Sequence, residues 1–272
     1  MTTTVDLVAK ATAFAALHTP TAPLALANAW DVASARIVEA AGAPTVATTS
    51  AGVAWSLGSP DGDALARDRA LDLIARVAAA VSVPVTADIE GGFGADAAAV
   101  GETVTGVLAA GAVGVNIEDG DRSPAEHAER LAAARAAADA AGVPLFVNAR
   151  VDTYLRGLGA PESRLEETLA RAAAYLAAGA SGIFVPGVTD PALLAQLAKG
   201  IDAPLNVLAG PDAPPVAELG ALGVARLSLG SWVAEAAYAV ARRAAEELYS
   251  GGTYASLAHS LPYGEVNGLL KG

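Results

Sequence analysis

Three short apolar runs in this chain each end on a polar cluster: Asp88 and Glu90 after PVTA, Glu118 and Asp119 after VGVNI, and Asn148, Arg150 and Asp152 after PLFV. An apolar run bounded by Gly or Pro reads as a strand buried on both faces, so each cluster marks the downstream end of a strand. In parallel α/β folds that rim carries the active site. The two-residue period of a strand sends Asp88 and Glu90 to one side and Ile89 to the other. Two carboxylates side by side repel unless a cation lies between them. The pattern points to a divalent metal site faced by a guanidinium, Arg150, that can hold an anionic substrate.

The donor types narrow the metal. The chain has no cysteine, which removes disulfides, thiolate zinc sites and a catalytic thiol together. Its three histidines, His18, His127 and His259, fall outside the strand ends and read as surface residues, which argues against a Ser-His-Asp hydrolase. Carboxylates from separate strand ends make an all-oxygen set suited to Mg²⁺, with Mn²⁺ as a substitute, and Mg²⁺ usually keeps several waters. Asp119 or Asp152 alone reads as a helix cap or a loop salt bridge. Asp88 with Glu90 reads as metal binding, because neither begins a helix and the GGFG that follows brings no countercharge. Arg150 can neutralise the acidic rim, grip a carboxylate in bidentate fashion, or do both. The TTSAG segment at 48–52 is small and rich in hydrogen-bonding groups, suited to an anion or a developing enolate oxygen. GGFG lacks the G-x-G-x-x-G spacing and a P-loop lysine, so no nucleotide site is expected. Trp55 is expected to pack under the loop leading to Asp61 and Asp63, either of which could reach a metal's water shell.

The elements that must position these residues repeat along the chain. Alanine-rich amphipathic stretches end at a small-residue pair, often AG, and a Val-rich run begins a few residues later, as in AAGAVGVNIED and AAGVPLFVNAR. Glycine after the last helical residue closes a helix, and a nearby proline prevents it resuming. Eight strands are expected, starting near Leu24, Thr45, Val85, Gly114, Leu145, Gly182, Leu205 and Ala225. Helices are expected at 32–41, 64–81, 95–110, 124–141, 161–178, 191–199, 215–222 and 232–249. Strict alternation of strand and helix, with no Pro/Ser-rich linker, implies one domain over 1–272: an α/β, (β/α)8 TIM-type barrel. A leading helix within 1–19 and a loop-rich tail at 251–272 lie outside the repeat.

Composition sets the outer bounds. A chain of 272 residues, 53% hydrophobic but only 5% aromatic, suits many Ala-rich helices around a Val/Ile/Leu sheet. A net charge of −12 repels nucleic acid and anionic membranes, so neither is an expected partner. The N-terminal stretch lacks a signal peptide's basic and apolar regions, and the expected location is the cytoplasm.

Taken in order, NAWDVASARIVEAAG, TTSAGVAWSLGSPD, ADIEGGFG, VNIED and NARVDTYL resemble the isocitrate lyase / phosphoenolpyruvate mutase superfamily, from about Ala25 to Trp232. The resemblance implies Asp88 as direct Mg²⁺ ligand, with Asp61, Glu90 and Glu118 around the ion and its waters. It implies Thr49, Ser50 and Ala51 against a 2-oxo acid or its enolate and Arg150 on the substrate carboxylate. Asn206, at another strand end, joins them as a candidate substrate contact, and Arg150, Glu118 and Asp61 are the candidate catalytic residues. A homotetramer is implied as well, with the last barrel helix exchanged between paired subunits. The chain also departs from its relatives. Isocitrate and methylisocitrate lyases carry a Lys-Cys-Gly-His type loop, and this chain has no cysteine. Phosphonate-cleaving relatives carry a lysine in that loop, whereas here Glu118 is followed by DGDRSPAEH. The expectation is therefore a Mg²⁺-dependent lyase that breaks a C–C bond of a small 2-oxo or 2-hydroxy carboxylate by retro-aldol cleavage or decarboxylation. The alternatives are phosphonomutase or phosphonopyruvate hydrolase chemistry, and a carboxylate-binding homologue without catalysis.

Overall fold

The computed structural model describes residues 3–271. In it the first strand run is split, and the split closes the sheet. β1 (Leu24–Leu26) pairs with β9 (Arg226–Ser228), while β2 (Asn28–Ala29), one residue further on, pairs with β3 (Val46–Thr48). Ala27 between them thus joins the two edges of a sheet whose order is β1-β9-β8-β7-β6-β5-β4-β3-β2. The remaining strands are β4 (Val85–Asp88), β5 (Gly114–Glu118), β6 (Phe146–Arg150), β7 (Gly182–Val185) and β8 (Leu205–Leu208). All pairings are parallel. The result is nine parallel segments in a nearly closed barrel, with β1 and β2 sharing the first of the eight expected positions. Each expected strand start lies within one residue of the observed one.

The helices are α1 (Thr4–Ala16), α2 (Val32–Ala40), α3 (Ser50–Ser56), α4 (Arg67–Ala80), α5 (Ala97–Ala109), α6 (Pro124–Ala140), α7 (Arg164–Ala177), α8 (Pro191–Gly200), α9 (Val216–Ala221), α10 (Trp232–Gly251) and α11 (Tyr263–Leu269). Their starts follow capping chemistry. Asp31, Asp96, Ser123 and Asp190 each accept an amide hydrogen bond from the first turn of the helix they precede, and Pro124 and Pro191 sit where a helix lacks an acceptor for its N–H.

The end of the barrel remote from the strand C-termini is plugged by the leading helix. Phe14 and His18 pack against Phe146, with ring centroids 5.6 Å and 3.9 Å away. Gly114 makes room for this plug, since a Cβ there would lie 2.5 Å from Phe14 Cε1.

Several sequence expectations need correction. His18 and His127 are buried, not on the surface: His18 stacks on Phe146, and His127 lies edge-on to Tyr175 under α6. Trp55 is more than one-third exposed and meets Tyr238 of α10 instead of packing beneath the Asp61 loop. The tail contains α11, docked through the Leu269 carbonyl, which accepts from Arg36 Nε at 2.8 Å. TTSAG runs directly into α3.

Candidate active site

β4 delivers Asp88 to the rim. Its amide donates to Thr48 Oγ1 at 2.9 Å, and its carboxylate accepts from the Glu90 amide (3.1 Å) and Asn116 Nδ2 (3.4 Å). Burial pushes the Asp88 carboxyl above the usual range and nearby Asp61 adds to this, while Arg150 pulls the other way. Glu90 does not share the side of Asp88, because the strand has already ended. Its backbone turns left-handed (φ 52°), and Oε2 accepts from the amides of Gly62, at 3.0 Å, and Asp63. Glu90 therefore clamps the loop that carries Asp61. Its second oxygen meets no partner among the described residues, and burial holds the carboxyl at about 7.

β5 and β6 place Glu118 opposite Arg150 in register, and Arg150 Nη1 lies 2.7 Å from Glu118 Oε2. Asp152 grips the same guanidinium through Nε (2.6 Å) and Nη2 (3.2 Å). Two flanking carboxylates hold Arg150 protonated, and the planar fork is fixed in direction. Burial lifts Glu118 to about 8 despite that partner. Asp119 points away from the rim. It accepts from the Asp152 amide (2.9 Å), Arg171 Nη1 (2.8 Å) and Tyr175 Oη (2.8 Å), a buried hub that fastens β5 to the β6 loop and α7. The salt-bridge reading of Asp119 and Asp152 is the one observed.

These elements enclose a cavity of about 260 Å³ at the C-terminal ends of the strands. Asp61, Asp88, Arg150, Thr49, Ser50 and Ala51 all line it, so six of the residues singled out from sequence converge. Glu118 stands behind Arg150, Glu90 behind the Asp61 loop, and Asn206 lies deeper in the barrel, near Ser228 and beside Arg226 in register; none of the three forms the wall. Sequence reasoning missed Asn116 as a wall residue, although the alternation that turns Glu118 inward turns Asn116 inward as well. It also missed Arg226, fully buried, whose Nη2 lies 3.3 Å from Asn116 Oδ1, so that a positive charge sits beneath Asp88 through one amide. Asn148 donates to the same oxygen at 2.9 Å.

The loop after Glu118 is short and fastened on both sides. Arg122 pairs with Asp63 at 3.0 Å, Asp121 pairs with Arg156, and α6 begins at Pro124. Arg130 of α6 donates to the carbonyls of Gly91, Gly94 and Ala95, which sets the path of the GGFG loop.

The residues fit a hard cation. Asp88, Glu90 and Glu118 are acids that burial holds above their ordinary range, and Glu90 keeps an orphaned oxygen. Among the described residues no three acidic or histidine side chains gather closely enough to hold an ion by themselves. That suits an ion bound by Asp88 and reaching other acids through water, as Mg²⁺ commonly is.

The profile of the phosphoenolpyruvate phosphomutase family matches residues 14–249. The chain belongs to that family. An uncharacterized protein of Mycobacterium tuberculosis (strain ATCC 25618 / H37Rv) is 38% identical over 254 residues, covering 93% of this chain and 94% of that protein. The 2-methylisocitrate lyase of Escherichia coli (strain K12) is 34% identical over 209 residues, 71% of this chain and 67% of the enzyme. Among solved structures, a phosphonopyruvate hydrolase in complex with oxalate and Mg²⁺ superposes with a TM-score of 0.80 at 26% identity, covering 96% of this chain and 94% of that one. The phosphoenolpyruvate phosphomutase family and its wider superfamily thus join lyases and mutases on one barrel, and the family tie drawn from the motifs holds.

Proposed function

We propose that this chain is a Mg²⁺-dependent lyase that cleaves a C–C bond of a small 2-oxo or 2-hydroxy carboxylate. The carrying observation is the convergence of Asp88, Asp61 and Arg150 on one cavity, where Asp88 is desolvated beside a second acid. Asp88 would hold the ion, with Asp61 on the same wall reaching it through water, while Glu90 fixes the Asp61 loop and Glu118 holds Arg150 from behind. Bound there, Mg²⁺ supplies charge that stabilises an enolate oxygen. Arg150 binds the substrate carboxylate. Asp152 occupies Nε and one hydrogen of Nη2, which leaves Nη1 and the second Nη2 hydrogen for Glu118 and a ligand. Thr49, Ser50 and Ala51 flank the ligand at the start of α3, and Asp61 on the cavity wall is the acid placed to exchange a proton with it.

The family's namesake chemistry favours a second reading, P–C bond cleavage or transfer. A phosphonate adds two negative charges where, among the described wall residues, Arg150 is the sole cation and two carboxylates already share it. That balance supports the C–C lyase. Calorimetry with oxalate, with and without Mg²⁺, tests the site, and pyruvate release from 2-hydroxy and 2-oxo acids tests the reaction. Oxalate is expected to bind only with Mg²⁺. Turnover of phosphonopyruvate alone would reverse the order of the readings, and oxalate binding with no turnover would leave a carboxylate-binding protein.

A further inference from the structure

Sheet order divides the cavity into two unlike halves. The half built from β2 to β5 carries Asn28, Thr49, Ser50, Ala51, Asp88 and Asn116, with Asp61 from the loop between α3 and α4. The half built from β6 onward carries Leu155 from the loop after β6, Phe184 and Pro186 at the end of β7, Leu208 at the end of β8 and Trp232 at the start of α10, together with Ser228, Gly230 and Ser231, whose donors are taken by Asn206, Asn28 and Glu235. Arg150 stands at the seam, its guanidinium carbon 6.0 Å from the Phe184 ring centre. The charged residue beyond the apolar surface is an acid, Glu235, tied to Ser231 at 2.6 Å.

A 2-oxo acid whose carboxylate and oxo group engage Arg150 and the acidic half must send its distal end along the apolar half. A second carboxylate there would lose water and meet no cation, with Glu235 repelling it. An alkyl group would instead gain about fourfold in affinity for each methylene buried. We infer that the substrate is a small 4-hydroxy-2-oxo monocarboxylate with an uncharged, apolar group beyond C4, selected by Leu155, Phe184, Leu208 and Trp232; its C3–C4 bond breaks to leave the 2-oxo acid enolate and an aldehyde as the 4-hydroxyl gives up its proton. The inference rests on the proposed function above and narrows its substrate class.

Binding tests it without requiring turnover. In competition with Mg²⁺ and oxalate, followed by calorimetry, 5-methyl-2-oxohexanoate and 2-oxoglutarate form a matched pair: an isopropyl group replaces a carboxylate of similar shape. The alkyl acid is expected to bind at least tenfold more tightly. Leu208→Arg, which sets a cation in the apolar half, is expected to reverse that order; if it fails to fold, the wild-type ratio still decides. Equal or tighter binding of 2-oxoglutarate, or no displacement by either acid while oxalate binds, overturns the inference and leaves the proposed function standing. Failure of oxalate to bind with Mg²⁺ overturns the proposed function and this inference with it.

Discussion

Asp88 and Asp119 are aspartates of one barrel rim, and burial pushes the carboxyls of both upward. Charge alone does not separate their roles; hydrogen bonding does. Asp119 satisfies three donors from two other elements, so Asp119→Asn, which keeps one accepting oxygen, sets an amide NH₂ against some of them and leaves Arg171 with Glu167 alone as its ion pair. The expected loss is about 2–4 kcal/mol in urea unfolding, with Mg²⁺-dependent oxalate binding retained. Among the described residues Asp88 accepts only from the Glu90 amide and, at 3.4 Å, from Asn116. Asp88→Asn removes a desolvated charge, so the metal-free protein is expected to keep or slightly raise its unfolding midpoint while its stabilisation by Mg²⁺ disappears. A Mg²⁺-induced shift that survives in Asp88→Asn would show that another residue is the ligand.

At the scale of elements, strand positions were legible because their signals are local: Gly and Pro bound each Val-rich run, and parallel strands are apolar on both faces. The rim was legible for the same reason, since Asp88, Glu118 and Arg150 are the last residues of β4, β5 and β6. The period failed at Glu90, two residues past the end of β4, where a left-handed backbone overrides strand alternation. α3 was missed because TTSAG has the small polar character of a loop. Phe14, His18 and Arg226 were missed because their partners lie across the barrel, and short-range patterns do not report such contacts. α10 was placed correctly by its apolar positions, yet Ala234 is its sole buried residue among those described. Trp232, Tyr238, Val240 and Leu248 are exposed on it, and Trp55 adjoins Tyr238. We propose that this solvent-exposed apolar set is an interface, covered by the exchange of α10 between copies that the family resemblance implies. Sedimentation is therefore expected to give a multiple of the 26.8 kDa chain mass, and Tyr238→Glu with Val240→Glu to shift it toward one chain. A monomeric wild-type protein at micromolar concentration would remove this proposal.

For the whole molecule, two pairs of buried groups make stability depend on pH in opposite directions. Burial, reinforced by neighbouring arginines, lowers His18 to about 4 and His127 to about 3, while an unfolded histidine takes its proton near 6.5. Below pH 6.5 the unfolded chain binds these protons and the folded chain does not, so their contribution is lost as pH falls toward those lower values. Burial raises Glu90 to about 7 and Glu118 to about 8, against 4.5 when unfolded. Here the folded chain holds the extra protons, so the stability they contribute is complete below pH 4.5 and is lost as pH rises through 7 and 8. Between 4.5 and 6.5 the two pairs oppose each other and nearly cancel. Outside that window each uncompensated proton costs about 1 kcal/mol per pH unit. Asp88 and Asp119, raised by burial as well, add to the carboxylate side, so the metal-free protein is expected to lose urea midpoint as pH rises through 7 and 8, with the histidines offsetting that trend between 4.5 and 6.5 and producing a separate fall toward lower pH. Saturating Mg²⁺ competes with protons for the acids around Asp88, so it should flatten the alkaline fall and leave the acid one unchanged. Glu118→Gln should flatten the same limb without metal, since a neutral amide has no proton to lose. Midpoints that keep rising to pH 8 in the metal-free protein would show that Glu90 and Glu118 ionise normally, and the case for uncompensated negative charge at this rim would fall with them.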